Sequence, residues 1–122
     1  MRLNAIGTHL LLELRDCEPI QLDSLPFIRE TLIAAAEVLG VTILSESFHQ
    51  FSPQGVTGII SIAESHLSIH TWPEHCYAAV DIFTCGESFD PAAASDLIIQ
   101  RLNSRAPEVI KINRGPVAVY ST

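Results

Sequence analysis

Apolar and polar positions along this chain fall into blocks whose spacing predicts strands and helices in turn. His9–Leu14 is nearly all apolar, follows Gly7 and closes at the polar turn Arg15-Asp16-Cys17-Glu18-Pro19, the pattern of a largely buried strand. Ser24 then stands where a helix needs an N-cap, and Pro26 fits its first turn. Leu25, Ile28, Leu32, Ala35, Ala36 and Leu39 recur at helical spacing until Gly40 ends the helix. Val41–Phe48 and Val56–Ala63 read as a hairpin-like pair of strands across the turn Ser52-Pro53-Gln54-Gly55. Tyr77–Thr84 is a further strand ending at Cys85-Gly86, and its buried-looking charge, Asp81, needs a polar partner. Asp90 at an N-cap and Pro91 after it open a second helix with Leu97, Ile98 and Leu102 as its apolar stripe. Val109–Ile112, and Val117–Tyr120 beyond it, supply the last strand.

The resulting order, β-α-β-β-β-α-β, predicts an α+β fold. It is a two-layer α/β sandwich, with a mostly antiparallel sheet and two helices on one face. No linker, repeat or low-complexity stretch divides residues 1–122, so a single domain is expected. The helices leave one sheet face bare. In a chain that is 48% hydrophobic, that face predicts a second subunit or sheet-on-sheet packing.

Charge narrows the partners. Seven Lys and Arg against fourteen Asp and Glu give a net charge of -7, which lacks the electrostatic footprint of a nucleic-acid or anionic-membrane binder and suits a cationic substrate. The absence of a long apolar run and of a leader pattern at the N-terminus predicts a cytoplasmic protein. The three cysteines, an odd number without zinc-ribbon spacing, predict reduced thiols.

Reactive side chains concentrate between Ile62 and Gly86. His66, His70 and His75, Cys76 and Cys85, the only tryptophan, Glu64 and Glu74 all fall there. The four-residue spacing of His66 and His70 is a ligand spacing in a helix, but Pro73 with Ser68-Ile69 makes this segment extended or irregular and no zinc motif is present, so no metal is expected. Ser65 lacks the Gly-x-Ser-x-Gly elbow of an α/β hydrolase. Taken singly, these residues have ordinary structural readings. Ser65 and Ser68 would cap a turn, and His70 would be a satisfied half-buried polar group. Trp72, Phe83 and Cys85 would belong to the core, Phe51 would anchor a loop, and Glu74 would be a solvated turn residue.

Together they carry more. Gly55-Val56-Thr57-Gly58, the run Ala63-Glu64-Ser65-His66-Leu67-Ser68-Ile69-His70-Thr71-Trp72-Pro73-Glu74, and Tyr77–Gly86 closely resemble the prokaryotic S-adenosylmethionine decarboxylases. The likeness extends to the opening Gly7-Thr8-His9-Leu10-Leu11 strand and covers nearly the whole chain. It implies a proenzyme that cleaves itself between Glu64 and Ser65 into a β chain of residues 1–64 and an α chain of residues 65–122. Ser65 Oγ would attack the Glu64 carbonyl, and after elimination Ser65 would become a covalent pyruvoyl group, the electron sink that a decarboxylase otherwise takes from a cofactor. The mature enzyme would decarboxylate S-adenosyl-L-methionine through a Schiff base to that group, giving the aminopropyl donor for spermidine biosynthesis.

The same resemblance assigns His70 to proton transfer in processing and Thr57 to its support, Thr standing where many relatives carry Ser. Cys85 would be the proton donor in decarboxylation, for which a thiol tuned near the working pH serves. Phe51 and His70 would stack on the adenine or near the sulfonium, and Glu74 would accept hydrogen bonds from the ribose. Family members are dimers of αβ units with shared active sites: Ser65 and Cys85 of one unit would face Phe51, Thr57, His70 and Glu74 of its mate. Cys17, His66, His75 and Cys76 receive no role. Two alternatives remain at this stage. One is a pyruvoyl-dependent decarboxylase of another amino acid, such as ornithine or arginine; the other is an unprocessed, non-catalytic partner of an active relative.

Overall fold

Strict alternation of buried and half-exposed residues runs through Tyr77–Cys85, as a strand with one face on a core demands. In a computed structural model, which describes residues 2–63, 65–85 and 91–119, it is the central strand of a six-stranded antiparallel sheet. The strands are β1 (Arg2–Arg15), β2 (Ile43–Gln50), β3 (Val56–Ile62), β4 (Ser65–Trp72), β5 (Tyr77–Cys85) and β6 (Ala106–Val119), in spatial order β2-β3-β4-β5-β1-β6. The helices are α1 (Pro19–Leu22), α2 (Leu25–Leu39) and α3 (Pro91–Arg101), and a single 3-10 turn (Pro73–His75) joins β4 to β5.

The register sets one buried face. Leu10, Leu12 and Leu14 of β1 pair with Ile82, Val80 and Ala78 of β5, which pair in turn with Leu67, Ile69 and Thr71 of β4. Ile60 of β3 continues this face opposite Leu67. Helix α2 covers the β2–β4 side and α3 the β1–β5 side, closing the core with Ile28, Leu32, Ala35, Ala36, Ala94 and Ile98. Helix α2 is capped as its sequence demands: Phe27 N–H donates to Ser24 Oγ at 3.3 Å, and Gly40 ends it at φ 72°.

The expected architecture is present, with one strand more than the periodicity indicated. The segment read as extended or irregular is the regular strand β4, so the order is β-α-α-β-β-β-β-α-β once the one-turn α1 is included. The final strand material is one continuous strand, β6. Asp90 and Tyr120, expected at a cap and a strand end, lie outside the described residues. Asp81 has its partners: His9 Nε2 at 2.9 Å, and the Ser68 hydroxyl, which donates to it at 3.3 Å. Trp72 and Phe83 stand on the face away from the helices rather than in the core. Trp72 is 39% exposed and Phe83 is half-buried.

The edges differ from the interior. Strand β2 is polar and mostly exposed, with an irregularity in register between Ile43 and Ser45. At the other edge, β6 carries Pro107, Lys111, Arg114 and Pro116 along its length.

Candidate active site

Antiparallel pairing puts the predicted residues at two ends of the sheet. Thr57 of β3 lies directly opposite His70 of β4, and Thr57 Oγ1 is 3.0 Å from His70 Nδ1. The bond fixes the imidazole plane and leaves Nε2 as the nitrogen able to exchange a proton. A cleft of about 310 Å³ opens beside this pair, lined by Phe51, Gln54, Thr57, His70, Thr71, Trp72 and Glu74. Phe51, His70, Thr57 and Glu74, assigned to this function from the sequence, are thus brought together.

Phe51 sits on the loop between β2 and β3, and residues that the sequence did not single out build that loop. Asp23 Oδ1 accepts from Gly55 N–H at 2.9 Å and from the Gln50 side-chain amide at 3.0 Å. Phe51 N–H donates to Gly55 O at 2.8 Å, closing the turn, and Gly55 takes φ 105°, a conformation open to glycine. The floor is tied down by Thr71, whose hydroxyl accepts from Val56 N–H and donates to Leu22 O, both at 2.8 Å. Phe51 is thereby held 47% exposed, its ring edge-on to His49 with centroids 4.5 Å apart. Trp72 was also missed as a site residue, although its two-residue offset from His70 places both on one strand face.

Ser65 and Cys85 occupy the other end. Ser65 opens β4, Cys85 ends β5, and Cys85 N–H donates to Ser65 Oγ at 3.1 Å. Both are half-buried. Next to them His66 stacks on Phe83 with centroids 5.7 Å apart, and the Arg114 guanidinium lies over the same ring at 5.5 Å. A cleft of about 270 Å³ opens here between Ile6, Gly7, Phe83, Arg114 and Gly115. Glu64, the other half of the expected cleavage site, lies outside the described residues. Ser65 and His70 are five residues apart on β4, which at about 3.3 Å per residue separates them by roughly 16 Å. One chain therefore does not bring its own His70 to its own Ser65.

Cys17 is held in a structural setting. Burial pushes the Cys17 thiol up to about 11, so it stays protonated, and it donates to Leu14 O at 3.4 Å. No group of three His, Cys, Asp or Glu able to hold a metal ion forms among the described residues. A roomier cavity, about 510 Å³ between Asp16, Glu18 and the end of α3, is lined by none of the predicted site residues.

Known proteins resemble this chain along most of its length. The S-adenosylmethionine decarboxylase family model matches residues 8–115. The chain is 46% identical to the S-adenosylmethionine decarboxylase proenzyme of Thermodesulfovibrio yellowstonii over 93% of its own length and 84% of that protein's. It is 42% identical to the proenzyme of Bacillus cytotoxicus, over 93% and 87%, and 44% identical to that of Pseudomonas aeruginosa, over 93% and 71%. The crystal structure of the adenosylmethionine decarboxylase of Aquifex aeolicus superposes with a TM-score of 0.89 at 37% identity, covering 98% of both chains. With these matches along its length, the chain belongs to the S-adenosylmethionine decarboxylase family.

Proposed function

We propose that this protein is a self-cleaving S-adenosylmethionine decarboxylase that acts in the cytosol and supplies the aminopropyl donor for spermidine synthesis. The observation that carries the reading is the Cys85 N–H to Ser65 Oγ hydrogen bond, which sets the expected nucleophile beside the expected acid at one sheet end. Its relatives are named as proenzymes, which favours a cleaved chain over a non-catalytic partner. They are also named for S-adenosylmethionine, which favours the nucleoside over ornithine or arginine.

The residues present fit a covalent pyruvoyl group at position 65. A serine hydroxyl held by a backbone donor has the atom needed to attack the carbonyl of residue 64, forming an ester as the peptide C–N bond breaks. Elimination of the residue 64 carboxylate would leave a dehydroalanine at position 65, and a water molecule adding to its imine tautomer would supply the keto oxygen as ammonia leaves. The finished group supplies an electron sink for the charge left by departing carbon dioxide. Cys85 then delivers a proton to the substrate carbon. His70 Nε2 shuttles the proton in self-cleavage, with Thr57 holding the ring. Phe51 offers a face to the cationic substrate, and Glu74 accepts from its hydroxyls.

The two half-sites join across a dimer. Ile59, Ile110 and Ile112 are exposed, and the register puts them on the open sheet face with half-buried Leu11 and Ala79. A second copy packed face to face about a two-fold axis, strands antiparallel, covers this surface and lays each Ser65 end over the partner's His70 end. Intact mass under reducing, denaturing conditions tests the core of the reading. Two fragments ending at Glu64 and starting at position 65 are expected, the second without a free amino terminus. One uncut chain after long incubation would overturn it.

A further inference from the structure

Two of the three cysteines lie outside the proposed chemistry, and the fold brings them together. Cys17 sits in the turn between β1 and α1, and Cys76 joins the 3-10 turn to β5. Cys17 N–H donates to Cys76 O at 2.9 Å. A backbone bond of that kind sets the two Cα atoms about 5–6 Å apart, within the span that a disulfide bridges. Both backbones are fixed around the pair. Glu18 N–H donates to Leu102 O at 3.4 Å, Arg105 N–H to Asp16 O at 3.3 Å, and Cys76 N–H to Pro73 O at 3.0 Å. Cys76 also takes φ 50°, the left-handed conformation that glycine adopts freely and that any side chain makes costly. Glycine would serve the turn better, so the backbone does not account for a thiol at this position.

The two sulfurs are close enough to feel each other. Burial foremost pushes the Cys17 thiol up to about 11, and a charge on Cys76 adds to the rise. Cys17 is buried and Cys76 half-exposed. Cys85 does not compete for either, because the nine residues of β5 put it about 30 Å from Cys76 along the same strand.

We propose that Cys17 and Cys76 form a redox-sensitive disulfide that staples the turn before β5, which carries Glu74, to the segment that leads into α1. A small-molecule disulfide is the oxidant. The half-exposed Cys76 thiolate attacks one sulfur of that disulfide and expels the other half as a thiolate. Cys17 then loses its proton, attacks the Cys76 sulfur and expels the second half. Two protein thiols are oxidised to one disulfide, one small disulfide is reduced to two thiols, and the protons released by the cysteines end on those thiols. A reducing cytosol runs the exchange backwards, so the staple closes on oxidation and opens again. Its main consequence rests on the proposed self-cleavage. Cys17 belongs to the fragment 1–64 and Cys76 to the fragment 65–122, so the link rejoins covalently two chains that the cut leaves in non-covalent contact.

The test incubates the purified protein with glutathione disulfide at mildly alkaline pH, which raises the thiolate fraction, and denatures it with and without reductant. Without reductant, intact mass should show the two fragments joined as one species; with reductant they should separate. Proteolytic mapping of the unreduced protein should recover Cys17 and Cys76 in one linked peptide pair, a readout that serves a cut or an uncut chain. Fragments that stay separate without reductant, with both thiols intact or each carrying glutathione, would overturn the proposal. A linked peptide pair within one uncut chain would support the staple and overturn the self-cleavage instead.

Cys76→Gly suits the left-handed backbone and removes one thiol. After the same treatment its fragments should remain separate, and in reductant it should decarboxylate at the wild-type rate. The stapled enzyme should melt about 5–15 °C above the reduced one, with no such rise in Cys76→Gly. Equal melting temperatures for the stapled and reduced enzymes would refute the support that the link is inferred to give.

Discussion

Co-expression of two defective chains tests the shared active site most directly. Ser65→Ala removes the nucleophile and His70→Ala removes the processing imidazole. With about 16 Å of β4 between the two residues, neither chain can assemble a complete site from its own residues. In a mixed dimer one site combines Ser65 of the His70→Ala chain with His70 of the Ser65→Ala chain, so both groups are native. The other site carries both defects. Random pairing makes half of all dimers mixed, each with one complete site of two, so activity should reach about a quarter of the wild-type level. Mixed dimers isolated through a different tag on each chain should reach about half. Two assays read the outcome: carbon dioxide release from labelled S-adenosylmethionine, and intact mass. In the mass assay only the His70→Ala chain should appear cut, since the other has no serine to react. Isolated mixed dimers with no cut chain would refute the two-chain site. A His70→Ala protein that cleaves completely by itself would refute the role given to His70.

Three further outcomes follow from local geometry. A Cβ at Gly58 would lie 2.3 Å from Phe48 Cε1 and 2.4 Å from its Cδ1, so Gly58→Ala must displace a ring packed on the core. Urea unfolding should show a loss of about 1–3 kcal/mol, and a loss under about 0.5 kcal/mol would mean that the ring moves freely. Asp23→Ala strips the acceptor from Gly55 N–H and the Gln50 amide, which should cost about 1–3 kcal/mol and raise KM through Phe51; unchanged urea midpoint and KM would show that the loop holds itself. Burial raises Cys17 to about 11 and Tyr77 to about 12, above the ordinary values of 9.0 for a thiol and 10.0 for a phenol. The unfolded chain therefore loses these protons first, so stability from both groups is complete below pH 9 and fades as pH climbs towards 11 and 12. Melting temperature should drop across that window, and less steeply in Cys17→Ala; a parallel drop in the variant would remove Cys17 as a cause.

Most of the scaffold could be read from the chain because its elements obey local rules. Ser24 and Gly40 bound α2 with an oxygen acceptor and a left-handed cap, both visible as residue types. Strand β4 escaped because its open-face positions, His66, Ser68, His70 and Trp72, are chemically loud, while only Leu67, Ile69 and Thr71 mark its buried side. The four-residue spacing of two histidines, suggestive of a helix, is in a strand simply two positions on one face. Phe51, Thr57, His70 and Glu74 were legible through the family likeness, and the structure gathers them around one cleft. Asp23 and Glu13 were not legible. They act over 32 residues to Gly55 and 64 residues to Tyr77, contacts set by tertiary packing rather than by neighbouring residues.

The two margins of the sheet close off one route of self-association. A strand with unpaired N–H and C=O groups along its side is a template for any other strand, and long ones invite stacking into fibres. At one margin β2 meets that hazard with a register irregularity and the exposed, hydrophilic Ser45, Glu46, Ser47, His49 and Gln50. At the other, β6 spans fourteen residues yet carries two prolines, which lack an N–H to donate, and a lysine and an arginine between them. Sideways growth beyond six strands is blocked at both margins. The proposed pairing on the broad surface, by contrast, would close on itself at two copies instead of propagating.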